Sequence, residues 1–165
     1  MNNKLTRKNI RLKDFNYNSE GAYFITICTQ NKICLLSHIM QTTVLDTPKI
    51  HLTKYGEIAN KVILQLSDFY NNVSVENFVI MPNHVHLLLF INYSSTTPPE
   101  TSPQNSIISR FISTFKRFCN KEFGENIWQK RSYDHIIRNT SDFDEHLKYI
   151  YENPIRWTSD EFYTE

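Results

Sequence analysis

Two apolar runs with only two residues between them constrain this chain more than any other feature. Val75 to Met81 and His84 to Ile91 are dominated by residues that favour strands, and Pro82-Asn83 is all that joins them. Pro has no N–H to give to a ladder, and Pro-Asn is turn chemistry, so a tight antiparallel hairpin is predicted. Alternate residues of a strand point to opposite faces. Val85, Leu87, Leu89 and Ile91 therefore share one face of the second strand. His84, His86, Leu88 and Phe90 share the other, with the two imidazoles side by side at its mouth.

The rest of the chain supplies what such a hairpin needs for burial. Gly21 to Thr29, with Tyr23, Phe24, Ile25 and Ile27, reads as a central strand. Residues 31–50 are mixed, and a short strand is expected only around Ile33 to Leu36. From Lys54 to Tyr70 the spacing of Ile58, Val62, Leu66 and Phe69 predicts a helix that Asn71-Asn72 ends. A second helix starts near Ser106, with Ile108, Phe111, Ile112, Phe115 and Phe118 on one face. Trp128 to Ile137 reads as extended. The last helix is expected to open at Ser141 as N-cap, with Asp144 in a capping-box position, and to close before Pro154. The order β-α-β-β-α-β-α predicts an α+β fold: a ferredoxin-like antiparallel sheet with helices on one face and an extra C-terminal helix.

Composition removes several function classes. The 165 residues suit one domain. Residues 1–20 are read as a basic N-terminal arm, 21–157 as the single domain, and 158–165 as a C-terminal tail. Within the domain, the Ser/Thr/Pro-rich stretch 94–106 is read as a flexible loop. With only three glycines, Gly-rich phosphate loops cannot be built, which excludes the nucleotide-binding folds that depend on them. Three scattered cysteines make neither a disulfide framework nor a zinc site. No apolar run is long enough to span a membrane, and the polar N-terminus lacks a secretory h-region, so a cytoplasmic protein is expected. With 18 Lys+Arg against 17 Asp+Glu, net charge alone argues against a nucleic-acid partner.

The chemistry-bearing residues fall in two places. Two histidines at the mouth of an apolar strand suit a shared divalent cation, although a bare HxH is short and common and by itself more often marks two locally hydrogen-bonded histidines. On the last helix, Phe143, Leu147 and Ile150 form a core face. Asp142, His146, Tyr149 and Asn153 form a stripe a quarter-turn away, with Tyr149 and Asn153 one turn apart. Because Asn153 precedes Pro154, it is expected to leave the α region. Tyr151 lies about half a turn from that stripe. Tyr133 and His135 sit in the extended segment, His135 as a residue behind any metal ligands.

Taken together these fragments resemble the HUH single-tyrosine transposases, and most closely the branch called REP-associated tyrosine transposases. The likeness is carried by Phe78-Val79-Ile80-Met81-Pro82-Asn83-His84-Val85-His86-Leu87-Leu88-Leu89 and by Trp128-Gln129 with Ser132-Tyr133-Asp134-His135-Ile136-Ile137-Arg138-Asn139. It closes on Tyr149-Ile150-Tyr151-Glu152-Asn153-Pro154 and spans nearly the whole chain. The resemblance implies that His84 and His86 bind Mg²⁺ or Mn²⁺, that Tyr149 is the nucleophile, and that Asn153 is a third ligand where other members carry Gln. It implies cleavage and rejoining of single-stranded DNA with imperfect palindromes, through a 5′-phosphotyrosine. His146 and His135 would then stand behind the nucleophile and the metal.

A DNA substrate also changes the reading of the basic residues. Arg7, Lys8, Arg11 and Lys13 in the arm, Arg110, Lys116 and Arg117 on the second helix, and Lys130, Arg131 and Arg138 become phosphate-contact candidates. Trp128 becomes a stacking candidate. The rival expectation is a non-catalytic DNA-hairpin binding regulator that keeps the fold. A small-molecule metal hydrolase is disfavoured because the sequence puts no acidic group beside the histidine pair. Monomer and homodimer are both open.

Overall fold

The computed structural model describes residues 15–41, 47–93 and 106–164. The expected basic arm residues Arg7, Lys8, Arg11 and Lys13, and the loop 94–105, lie outside them. The elements run β1 (Gly21–Cys28), β2 (Ser37–Met40), β3 (Lys49–Leu52), α1 (Lys54–Phe69), β4 (Val73–Ile80), β5 (His84–Ile91), α2 (Ile107–Phe123), β6 (Tyr133–Ile136) and α3 (Thr140–Glu152). Four strands form one sheet in the order β4-β5-β1-β6, and every neighbouring pair is antiparallel. β1 and β4 therefore run parallel with β5 between them, which makes two interleaved β-α-β units, the ferredoxin-like arrangement.

The hairpin is as tight as Pro82-Asn83 predicts, because Met81 N–H donates to His84 O at 2.9 Å across the two-residue turn. The register slips once, between Val75 and Asn77, and Glu76 is the extra residue of a bulge. β1 and β5 are buried along almost their whole length, so the sheet is covered on both faces. On one face Tyr23, Ile25, Ile27, Val85, Leu87, Leu89 and Ile91 pack under α1 and α2, against Ile63, Leu66, Ile108, Phe111 and Phe115. On the other, Phe24, Val79, Met81 and Leu88 pack with Ile150, Trp157 and Phe162, and with Phe143 and Leu147 beside them. The extra helix α3 thus lies on the face opposite α1 and α2, the same face to which His84 and His86 point. Burying each large apolar side chain contributes about 1.5–3 kcal/mol. A single Phe111→Ala change in the larger core costs about 3–5 kcal/mol.

Several local expectations are corrected. Residues 33–36 are an extended passage rather than a strand, with Leu36 N–H donating to Pro82 O at 2.9 Å. The strand begins at Ser37 and pairs with a partner unforeseen in the sequence, Lys49–Leu52. In α1 the buried positions are Gly56, Ala59, Val62, Ile63 and Leu66, whereas Phe69 is 67% exposed. The core stripe is centred differently because α1 crosses close over the residues before β2. A Cβ on Gly56 would overlap the Leu36 carbonyl oxygen and stand 3.1 Å from Leu52 Cδ2. α3 is capped by Asn139, whose Oδ1 accepts from Asp142 N at 2.9 Å, rather than by Ser141. Asn153 stays in the α region (φ −55°, ψ −43°) despite Pro154. Its complete burial and its hydrogen bonds outweigh the preference of a residue before proline.

Candidate active site

The hairpin turn sets the two imidazoles. His84 lies opposite Cys28 and His86 opposite Thr26 on β1, with the rings 4.5 Å apart. His84 Nδ1 lies 2.9 Å from Asn83 Oδ1. The Asn83 Nδ2 group is committed to Lys32 O and Phe162 O, so Oδ1 is the face turned to the ring. An amide oxygen only accepts, so His84 Nδ1 carries the proton and Nε2 keeps its lone pair. His86 Nδ1 is held by the Thr26 hydroxyl at 2.8 Å. His84 and His86 are 0% and 1% exposed. Burial pushes His84 down to about 4, opposed in part by the Asp160 charge. Burial also pushes His86 well below its ordinary value, with the neighbouring His84 and His146 adding to it. Both rings are therefore neutral at physiological pH.

Three atoms at this place are buried with no hydrogen-bond partner: His84 Nε2, His86 Nε2 and Asn153 Oδ1. Leaving a buried polar atom unpaired costs about 1–3 kcal/mol. Two imidazole nitrogens and one amide oxygen make the donor set of a divalent cation when the Thr26 hydroxyl accepts the Nδ1 proton of His86, and these residues fit one. Two nitrogens and one oxygen suit Mn²⁺ better than Mg²⁺, which prefers an all-oxygen shell.

Tyr149 packs against His86, ring centroids 5.2 Å apart and nearly perpendicular. Its hydroxyl donates to Asp160 Oδ2 at 3.1 Å, and Asn153 Nδ2 donates to the same oxygen at 2.8 Å. Asp160 Oδ1 accepts from Phe162 N at 2.7 Å. Burial first, then the Asp160 carboxylate, push the Tyr149 hydroxyl above its ordinary value of 10, so the phenol stays protonated. Asp160 was missed in the sequence because it follows the last helix, in the stretch 158–165 read as a tail. No periodicity or motif marks it. The segment in fact closes the site: the Phe162 ring stands 4.7 Å from His84 and the Trp157 ring 6.0 Å. The supposed lack of an acidic group near the histidine pair is corrected by the same residue.

The other two candidate histidines, His135 and His146, form a separate group at the start of α3. His135 Nε2 lies 3.0 Å from both Asp142 oxygens, and His146 Nδ1 lies 3.1 Å from Asp142 Oδ1 and 2.8 Å from Asp142 O. The spacing of these donors would also admit a metal ion. Their rings, however, are stacked at 4.6 Å and only 16° from parallel, so one ion cannot lie in both ring planes. The nitrogens they turn toward each other, His135 Nε2 and His146 Nδ1, are also already engaged with Asp142, unlike the Nε2 atoms of His84 and His86. This group clamps β6 to α3. His146 bonds to Asp142 and not to Tyr149, so the expected stripe divides into two clusters. Phe24 stands between them, 4.9 Å from His86 and 4.7 Å from His146.

Of the remaining candidates, Arg110, Arg117, Lys130, Arg131 and Arg138 are exposed. Lys116 is turned inward, donating to Gln129 O at 2.8 Å, and burial pushes its ammonium down to about 8. Trp128 is 1% exposed and packs on Phe115 and Phe123, so its ring is not an open stacking surface. Tyr133 does lie exposed. Tyr151, also exposed, accepts from Asn77 Nδ2 on the far side of α3. Lys116, Arg117, Trp128 and Lys130 come together around one cavity of about 380 Å³.

No family model matches the chain. An uncharacterised Haemophilus influenzae protein is 33% identical to it, across 96% of this chain and 94% of its own length. A second protein of that organism, named "Putative REP-associated tyrosine transposase", is 30% identical across 82% of this chain and 71% of its own. The Escherichia coli REP-associated tyrosine transposase is 27% identical across 85% and 70%. The fold matches a solved structure of a REP-associated tyrosine transposase bound to a REP hairpin, with a TM-score of 0.61 over 88% of this chain at 21% identity. The hairpin-borne histidine pair, the tyrosine beside it and these whole-domain likenesses converge: the chain belongs to the REP-associated tyrosine transposase family.

Proposed function

We propose that the protein is a metal-dependent transesterase that cleaves and rejoins single-stranded, hairpin-forming DNA, with Tyr149 as its nucleophile. One observation carries the reading. A half-buried tyrosine packs on one of two histidines whose Nε2 atoms, like Asn153 Oδ1, are buried without a partner. The names of the relatives, and the REP hairpin bound to the structural neighbour, agree with a DNA substrate of this kind.

A divalent ion held by His84, His86 and Asn153 would polarise the scissile phosphate and offset the charge growing on its oxygens. The chain's own residues do the rest. Asn83 fixes the His84 imidazole from behind with its Nε2 lone pair free, and the Thr26 hydroxyl, by accepting from His86 Nδ1, would leave the second Nε2 lone pair free as well. Asp160 holds the Tyr149 hydroxyl and the Asn153 amide on one carboxylate oxygen, which orients both toward the histidines. Attack by Tyr149 Oη forms the Oη–P bond as the P–O3′ bond breaks. The phenolic proton passes to Asp160 Oδ2, and the departing 3′ oxygen takes up a proton from solvent water. The products are a 5′-phosphotyrosine and a free 3′-hydroxyl. The ester keeps the phosphodiester's reactivity, so another 3′-hydroxyl reverses the step and joins strands. The aromatic cover of Trp157 and Phe162 has to shift before a phosphate reaches the imidazoles.

That closed cover is also what a binding protein without activity would show, so the DNA-hairpin regulator remains the second reading. Incubation with hairpin oligonucleotides carrying single-stranded flanks, with Mn²⁺ or Mg²⁺, separates the two. A denaturation-resistant protein–DNA adduct that Tyr149→Phe abolishes supports the transesterase. Tight binding with no adduct under either ion supports the regulator. An adduct formed undiminished by Tyr149→Phe refutes Tyr149 as nucleophile.

A further inference from the structure

Lys32 is a cation beside the Tyr149 site that the chemistry above leaves without a task. It sits in the short passage between β1 and β2, which the hairpin turn pins from behind. Thr29 N donates to Asn83 O at 2.9 Å, and the Thr29 hydroxyl lies 3.0 Å from that oxygen and 2.8 Å from Ile33 O. The wholly buried Asn83 side chain then ties Lys32 to the histidine pair. Its Nδ2 donates to Lys32 O at 3.0 Å while its Oδ1 accepts from His84 Nδ1. Asn31 and Lys32 are also the two non-glycine residues with positive φ among the described ones, at 54° and 55°. That region costs an L residue energy, and strain of this kind collects at active sites and ligand clamps.

The partners of the side chain are a carbonyl and a ring face, neither of which carries a charge. Its ammonium donates to Glu161 O at 2.9 Å and stands 4.9 Å from the centre of the Phe162 ring. The same ring lies 4.7 Å from that of His84, so one phenyl ring links the ammonium to the imidazole. Burial is the chief cause of the low His84 pKa, and the Lys32 charge acts in the same direction, so it is felt at the site. A phosphodiester entering there brings negative charge toward the Asp160 carboxylate, which already holds the Tyr149 hydroxyl. It reaches the imidazoles only once Phe162 shifts, and that movement takes from Lys32 both of its partners.

We propose that Lys32 is a catalytic residue of the strand transfer. As the segment 157–162 shifts, its ammonium exchanges Glu161 O and the Phe162 ring for a non-bridging oxygen of the scissile phosphate. The inference rests on the reading of Tyr149 as nucleophile. The ammonium neither gives nor takes a proton. It offsets charge on the phosphate as Tyr149 Oη attacks, and again as a 3′-hydroxyl reverses the step. A lysine that only clamps the closing segment predicts the opposite sign, because its loss loosens the segment and quickens the reaction.

The test compares wild type with Lys32→Gln, which keeps a donor for Glu161 O without the charge, and with Lys32→Arg, which keeps the charge. The probes are hairpin oligonucleotides with single-stranded flanks, in Mn²⁺, and thermal unfolding checks that each variant folds. Lys32→Gln is expected to slow formation of the protein–DNA adduct about 100-fold, and Lys32→Arg by less than about tenfold. The same factor for Lys32→Gln should persist in a Phe162→Ala background, where the clamp is already gone. Binding gives a second readout, in a Tyr149→Phe background that removes the chemistry. There Lys32→Gln should reduce the slope of log K against log salt by about 0.7, the share of one single-strand phosphate contact. An adduct formed by Lys32→Gln as fast as by wild type, or faster, overturns the proposal and leaves Tyr149 standing. An unchanged salt slope does the same. Wild type that binds the hairpin but forms no adduct overturns the Tyr149 reading and, with it, the catalytic role of Lys32.

Discussion

Asn153→Asp tests the centre of the site because it changes one charge and almost no volume. Asn153 Nδ2 donates to Asp160 Oδ2 at 2.8 Å, while its Oδ1 is buried beside the histidine pair without a partner. The substitution removes a hydrogen bond to a charged group, which contributes about 1.5–3 kcal/mol. It also sets two carboxylates together in a buried place. At a separation of about 4 Å and an effective dielectric of about 20 their repulsion is about 4 kcal/mol, and relaxation lowers this to about 2–3. The sum, about 3.5–6 kcal/mol, lowers Tm by about 7–24 °C for a domain of this size. The assay is thermal unfolding in EDTA and across a Mn²⁺ titration. An ion on His84, His86 and residue 153 would face a carboxylate in place of an amide oxygen, so added Mn²⁺ should raise the Tm of the variant more than that of wild type. Saturation at about 100 times Kd would return about 2.7 kcal/mol. A variant as stable as wild type in EDTA would refute the hydrogen-bond argument. A destabilised variant that Mn²⁺ does not selectively recover would refute the placing of Asn153 Oδ1 toward an ion.

Gly56→Ala should destabilise the protein by about 1–3 kcal/mol, although Ala is the better helix former by about 1 kcal/mol, because the new Cβ overlaps the Leu36 carbonyl that Thr53 N–H also uses. Chemical denaturation checks the sign, and a stabilised variant would show that α1 does not lie so close to Leu36. Asn139→Ala removes the cap of α3 and should cost about 1 kcal/mol by the same measurement. Burial pushes the Cys28 thiol up to about 11 and the Cys119 thiol up to about 12, so at pH 8 both stay protonated and unreactive. Alkylation of the native protein followed by peptide mapping should label the half-buried Cys34 first, and rapid labelling of Cys119 would contradict its place in the α2 core.

The sheet and its two covering helices were legible because their signals are local and periodic. Alternation along His84–Ile91 assigns both faces of β5, and Pro82-Asn83 leaves no room for anything but a turn. The helix spacing of Phe111, Ile112 and Phe115 places α2 on the core. Where local signals were weak the expectations slipped. The β2–β3 pair has only four residues a side, too short a run for its pattern to mark a strand, and the core stripe of α1 was set by the close crossing at Gly56, which periodicity does not reveal.

By itself the sequence determined which residues share a strand or helix face: His84 with His86, Tyr149 with Asn153, and Phe143 with Leu147 and Ile150. Those relations follow from the two- and 3.6-residue periods and need no partner. Only the tertiary structure decided which face meets which. It set α3 on the sheet face opposite α1 and α2, so that Tyr149 reaches His86, and it brought His135 of β6 against Asp142 and His146. It brought Asp160, with no motif to announce it, onto the Tyr149 hydroxyl and the Asn153 amide. It also buried Trp128, leaving the indole N–H as its one spare polar contact. These are contacts between segments distant in the chain, selected by how the apolar faces pack, and no local pattern carries that information.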